Sequence, residues 1–181
     1  RAIDYRLTDP YCDPIGSSEK YYSERLFRLD ETYWTYNPSF HLPVTTLPAA
    51  SNKFVTFGSF GSFSRITPEV LRLWAQVLAG IPGSRLLVIG VPEGNTRIAL
   101  LKGFSDHGVD SDRIAIRGWV SYTGYHELMG IVDIALAPYP YNGATTMLDC
   151  LWNGLPVVTM EGGETFYSRM GTGILKHVGM E

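Results

Sequence analysis

FVTFGSFGSFSRITPEVLRLWAQVLAGIPGSRLLVI (residues 54–89) decides the fold. Residues 54–59 (FVTFGS) read as a strand. Thr67 then offers an N-cap, and Pro68 takes the first helical position, where its missing N–H costs nothing. Val70, Leu73, Trp74, Val77 and Leu78 follow at i, i+3, i+4, i+7 and i+8, which is one apolar helix face. Gly80 and Pro82 stop that helix, and residues 85–89 (RLLVI) are short and continuously apolar, as in a buried strand. This is a strand–helix–strand unit, and the pattern recurs downstream. Helices are expected over 95–107, with Asn95 as cap and Leu100, Leu101 and Ile98 facing inward, and over 122–132, 143–153 and 164–177. Strands are expected over 113–119, 133–137 (DIALA) and 156–160 (PVVTM). Five strands alternating with helices imply right-handed βαβ crossovers and a parallel sheet covered on both faces. Ligands of such sheets bind beyond the carboxyl ends of the strands, which singles out the loops 58–67, 118–125 and 138–146.

The composition agrees with a folded α/β domain. At 181 residues, with 45% hydrophobic and 13% aromatic side chains, the chain has enough apolar surface to offset ordering entropy. A net charge of -3 gives no electrostatic reason to bind nucleic acid. No apolar run reaches the ~18 residues of a membrane span, and residues 1–20 lack a signal-peptide core. Two cysteines, Cys12 and Cys150, are too few for a disulfide framework or a thiolate metal cage, so both are expected free in a reducing cytoplasm. The chain begins at Arg1 rather than Met, so a longer parent is expected.

Residues 1–50 read differently. They hold Pro10, Pro14, Pro38, Pro43 and Pro48, five of the eleven prolines, which keep interrupting regular structure. A strand over 2–7 and a helix over 21–29 capped by Ser18 are the expected elements. The segment reads as an extended arm, a linker from a preceding half, that needs a surface to pack against; residues 51–181 form the domain proper.

The stretch APYPYNGATTMLDCLWNGLPVVTM (residues 137–160) carries the chemistry. A buried strand ends at Pro138, and Asn142-Gly143-Ala144-Thr145-Thr146 opens a helix. Small residues at a helix start leave N–H groups uncovered for phosphate oxygens. At ~100° per residue, Asn142, Thr145, Thr146, Asp149 and Asn153 share a polar arc, while Met147, Leu148, Leu151 and Trp152 face the sheet. Asp149, one turn from Thr145, is able to accept from ribose hydroxyls beside a bound diphosphate. An ordinary amphipathic helix with a threonine cap explains the same residues equally well.

NGATTMLDCLWNGLPVVTM, followed by GGETFYSRMGTGIL (residues 162–175), closely resembles the donor-binding half of the O-GlcNAc transferase family, which includes SPINDLY-like O-fucosyltransferases. Residues 54–88, with the Trp-Ala pair at 74–75, resemble the same family's strand, loop and helix, and DYRLTDPYCDP (residues 4–14) its preceding segment. The resemblance implies the C-terminal, Rossmann-like half of a bacterial-type GT-B enzyme. The implied parent carries an N-terminal catalytic half and tetratricopeptide repeats. The donor is a nucleotide sugar, UDP-GlcNAc or alternatively a GDP-sugar, and the acceptor a Ser/Thr hydroxyl of a protein, with no metal, nucleic acid or membrane involved. The family's diphosphate-binding lysine falls at Arg65, which keeps the charge and adds a planar fork and is the implied catalytic residue. Its glutamine falls at Ser62, its helix-start donors at Ala144, Thr145 and Thr146, and its ribose-binding aspartate at Asp149. Asn142 and Gly143 stand at that helix start, where the family's usual histidine before the threonines is Ala144. The family's base-side histidine aligns with Tyr125, next to His126, and its base-facing backbone position with Val120. A module that kept the fold but lost transfer, binding nucleotide or a protein, is the alternative. The substitutions at Arg65, Ser62 and Tyr125 keep it open.

Other signals are weaker. Asp110-Ser111-Asp112 spells a D-x-D pattern but precedes a strand, so it reads as a solvated turn. His41, His107, His126 and His177 are too dispersed for a metal site. Gly58 and Gly61 do not complete the dinucleotide fingerprint. No residue stands out as a general base.

Overall fold

Leu86 and Val88 pack into one apolar cluster while Leu87 and Ile89 pack into another. That period-two split is what a strand buried on both faces requires. A computed structural model of the chain describes residues 3–40, 43, 44 and 46–180. In chain order the arm forms β1 (Tyr5–Thr8), β2 (Arg25–Arg28) and the short helix α1 (Pro48–Asn52). Then come β3 (Thr56–Ser59), α2 (Pro68–Gly80), β4 (Arg85–Val88), α3 (Asn95–Ser105) and β5 (Ile114–Ile116). They are followed by α4 (Tyr122–Met129), β6 (Ile134–Leu136), α5 (Ala144–Trp152), β7 (Val157–Val158) and α6 (Phe166–His177).

The main sheet has the order β5-β4-β3-β6-β7, and every pairing in it is parallel. The chain winds outward from β3 to β5 and then returns to β6 on the other side of β3. Val70, Trp74 and Leu78 of α2 and Leu100 and Phe104 of α3 cover one face, against Phe57, Leu86, Val88 and Leu136. Met129 of α4 and Met147 and Cys150 of α5 cover the other, against Leu87, Ala135 and Val157. This is the doubly wound α/β sheet that the strand–helix alternation predicts. Its topological switch point lies between β3 and β6, whose following loops contain Arg65 and Gly143. No helix among the described residues is long and apolar enough to cross a membrane.

Thr67 does cap α2, accepting from the Val70 N–H at 3.3 Å. Elsewhere the local structure differs from expectation. Asn95 does not cap α3: Gly94 precedes the helix with φ 80°, Asn95 is its first residue, and the helix ends at Ser105 rather than His107. Ile98, expected to face inward, is 65% exposed. The third strand expected over 113–119 covers only Ile114–Ile116: Arg113 belongs to the 3₁₀ turn Ser111–Arg113, and the pairing partner β4 ends at Val88, opposite Ile116. Val55 lies just ahead of β3. Asp110, Ser111 and Asp112 are exposed in a turn before β5, as expected.

The arm departs most from expectation. The helix expected over 21–29 is replaced by the strand β2, paired in parallel with β1 from Tyr5↔Arg25 to Thr8↔Arg28. Tertiary hydrogen bonding overrides the helical pattern: the β1 backbone needs a partner, and the Arg28 guanidinium at the strand's end binds the Asp13 carbonyl and Glu19. The strand expected over 2–7 starts outside the described residues at Ala2 and is seen as Tyr5–Thr8. The surface the arm packs on is this domain's own. Arg169 of α6 donates to the Cys12 carbonyl at 2.8 Å and to the Ser18 hydroxyl at 3.2 Å. Cys12, Tyr33 and Trp34 join Met170 and Ile174 of α6 in a third apolar cluster.

Candidate functional site

Gly143 precedes α5 with φ 78°, a left-handed backbone conformation that glycine adopts without steric cost. No side chain caps the helix, so the N–H groups of its first turn, beginning at Ala144, Thr145 and Thr146, are left for an outside acceptor. Arg65 arrives there from a 3₁₀ turn (Phe63–Arg65) in the loop after β3. A Cβ built on Gly143 would collide with the Arg65 guanidinium, so the two approach as closely as a glycine allows. The guanidinium lies over the Tyr141 ring, 4.2 Å from its centroid, and Tyr141 stacks in turn on Tyr167 at 5.8 Å. Among the described residues no carboxylate pairs with Arg65. A held cation with no counter-charge, beside an uncapped helix start, is an arrangement suited to an anion.

Beside it a cleft of about 470 Å³ opens beyond the carboxyl ends of β3, β4 and β5. Ser62, Val120, Tyr125, Thr146 and Asp149 line it, together with Phe60, Phe63, Tyr122 and Trp119. The Ser62 hydroxyl is hydrogen bonded with that of Ser64 at 2.9 Å. Tyr125, held edge-on to Phe60 at 5.9 Å, donates to Asp149 Oδ2 at 3.2 Å, and burial pushes its phenol pKa up. Trp119, expected at the end of a strand, is 95% exposed on the cleft rim.

Some of the polar arc of α5 serves other ends. Asn142 is buried, and its amide donates to the Pro138 carbonyl at 3.1 Å and the Thr159 hydroxyl at 2.8 Å. Its Oδ1 accepts from the Gly171 N–H at 3.0 Å, so Asn142 bolts the loop after β6 to α6 rather than facing the cleft. Asn153 closes α5 and reaches His126 Nδ1 at 3.0 Å. His126 is buried against Phe40, Tyr122 and Tyr125 and does not line the cleft. Trp152, expected on the packed arc, is 46% exposed and meets Tyr36 edge-on. His107 bonds the Gly103 carbonyl in an exposed position, His177 is exposed, and His41 lies outside the described residues. Among the described residues no group of three His, Cys, Asp or Glu side chains comes together to hold a metal ion. Neither cysteine is in a disulfide.

Besides the lining rings Phe60, Phe63, Trp119 and Tyr122, two further residues that the sequence does not single out join the site. Tyr141 supports Arg65, and its position in PYPYN is visible as part of an aromatic loop. Tyr36 donates to Asp149 Oδ1 at 2.6 Å from the arm, a contact that no local pattern announces.

A sequence model of glycosyl transferase family 41 matches residues 44–181. The chain belongs to that family. This glycosyl transferase family 41 chain is 38% identical over 183 residues to SPINDLY of Solanum lycopersicum, covering 99% of the chain and 19% of that protein. SPINDLY of Arabidopsis thaliana is 37% identical, covering 98% of the chain and 20% of that protein. Both are named probable UDP-N-acetylglucosamine–peptide N-acetylglucosaminyltransferases. The chain thus spans about a fifth of the length of these curated relatives. A solved mutant of Thermobaculum terrenum O-GlcNAc transferase superposes with a TM-score of 0.83 at 35% identity, covering 98% of this chain and 34% of that one.

Proposed function

We propose that the chain is the nucleotide-sugar-binding domain of a protein O-glycosyltransferase, which transfers N-acetylglucosamine or a related sugar from UDP-N-acetylglucosamine to Ser or Thr hydroxyls. The observation that carries this reading is the approach of Arg65 to Gly143 at the uncapped start of α5, next to the cleft that Thr146, Asp149 and Tyr125 line; Arg65, Gly143, Ala144 and Thr145 lie outside that lining. The names of the relatives supply the donor and the acceptor class. In the transfer, the acceptor oxygen bonds to the anomeric carbon while the bond from that carbon to the β-phosphate oxygen breaks. UDP leaves with the electron pair, and the hydroxyl proton passes to a base that the rest of the enzyme supplies. Arg65 and the N–H groups of Ala144, Thr145 and Thr146 would meet the charge developing on UDP, without a metal ion. Asp149 would accept from the ribose hydroxyls, with Tyr125, Val120 and Ser62 around the base and diphosphate. A partner catalytic half and tetratricopeptide repeats elsewhere in a longer cytoplasmic chain belong to the same proposal.

Titration of the chain with UDP by calorimetry tests it. A charge-assisted hydrogen bond contributes about 1.5–3 kcal/mol, so Arg65→Ala should weaken UDP about ten- to a hundredfold. Asp149→Asn should cost UDP affinity while sparing inorganic pyrophosphate. Two folded variants that bind UDP as the parent does would refute the assignment.

A further inference from the structure

The arm reaches the cleft lining at Tyr122, through Phe40, and at the Asp149 carboxylate, through Tyr36. Tyr36 lies 113 residues before Asp149, and its hydroxyl donates to Asp149 Oδ1 at 2.6 Å. The Tyr125 hydroxyl donates to the other oxygen at 3.2 Å. The Tyr36 ring is wedged edge-on against Trp152, one helical turn beyond Asp149, with centroids 6.3 Å apart and planes at 61°. Burial and the adjacent carboxylate push the Tyr36 phenol up, so it stays a hydroxyl donor at neutral pH. The carboxylate is thereby clamped at both oxygens by two rings that are themselves packed.

A carboxylate has about four acceptor sites, and each phenol uses one. Each oxygen of Asp149 therefore keeps one further lone pair. The carboxyl torsion is otherwise broad, and an unclamped half-buried aspartate would have to be ordered when it binds. A pair of acceptors on two fixed oxygens is the complement of two adjacent hydroxyls. We propose that Tyr36 is a positioning residue of the donor site: with Tyr125 it fixes the carboxylate of Asp149 so that its remaining lone pairs receive the ribose cis-diol of the nucleotide. The arm is then a working part of the site and not only a connection. This inference rests on the reading of Asp149 as the ribose acceptor.

The test is calorimetric titration of the full chain with three probes: UDP, 2′,3′-dideoxy-UDP and inorganic pyrophosphate. Tyr36→Phe removes the hydroxyl and keeps the ring on Trp152. It should weaken UDP about fivefold, leave pyrophosphate unchanged, and shrink the preference for UDP over its dideoxy form by the same factor. In an Asp149→Asn background, Tyr36→Phe should add nothing, because the group it positions is gone. If Asp149→Asn weakens UDP but Tyr36→Phe does not, the positioning role is wrong and the donor site stands. Equal losses for UDP and pyrophosphate mean that Tyr36 acts only through the fold, which also overturns the inference. Tighter UDP binding by Tyr36→Phe would make the tyrosine an obstruction and overturn it as well. Asp149→Asn binding UDP as the parent does overturns both the inference and the reading beneath it.

Discussion

Gly143 and Arg65 depend on each other. The glycine has φ 78°, and the space a side chain would fill there is taken by the guanidinium. Gly143→Ala therefore suffers twice, from a left-handed backbone that costs an alanine about 1–2 kcal/mol and from displacement of Arg65. It should lower the urea midpoint modestly and weaken UDP at least as much as Arg65→Ala. A variant of ordinary stability and full UDP affinity would mean that the close approach has no function. Both residues are legible in the sequence, because each follows a strand in a loop where such folds bind ligands. Asn142 is not, because helical angle alone cannot separate a residue facing solvent from one turned into a neighbouring helix. Tyr36 is invisible for another reason. Its contact with Asp149 spans 113 residues, and sequence periodicity reports only neighbours a few residues apart.

At the scale of elements, Asp133 ties the arm's end to the sheet. It is buried at the start of β6, and its two oxygens accept from the Ala49 and Thr56 N–H groups, both at 2.8 Å. These bonds anchor α1 and the beginning of β3, at the end of the sheet opposite the cleft. Asp133→Ala leaves two backbone donors without partners and should cost about 2–4 kcal/mol in urea unfolding. UDP affinity of the folded variant should be unchanged; a loss of affinity without a loss of stability would contradict the structural role. The regular elements are readable where apolar spacing is long and bounded, as in α2 between Thr67 and Gly80. The strand β2 is not, since four residues of RLFR fit either period and only the partner strand β1 decides between them. Likewise Asn95 looks like a cap, but Gly94 supplies the turn and shifts the helix start by one residue.

Across the whole molecule, burial acts alike on six acidic groups. It raises the pKa of Tyr22, Tyr33, Tyr36 and Tyr125 and of the Cys12 and Cys150 thiols, desolvation being the first cause in each. Their folded pKa values lie above the unfolded ones, so their stabilising contribution is complete below the ordinary thiol and phenol values of about 8.5 and 10. It is lost as pH rises beyond them, when the unfolded chain releases protons that the folded chain retains. The urea midpoint should therefore fall above about pH 8.5, and Tyr36→Phe should flatten the part of that fall above about pH 10; a midpoint rising through this range would contradict the linkage. The arm packs on α6 and reaches Asp149 of α5, and a donor diphosphate is expected at the start of α5, beside the cleft. A crystal structure of the chain with UDP tests this most directly. The expected result is diphosphate oxygens within hydrogen-bond distance of Arg65 and of the backbone N–H groups of Thr145 and Thr146, with the ribose hydroxyls on Asp149. UDP bound elsewhere, with Arg65 still lying over Tyr141 and the start of α5 making no contact with it, would contradict it.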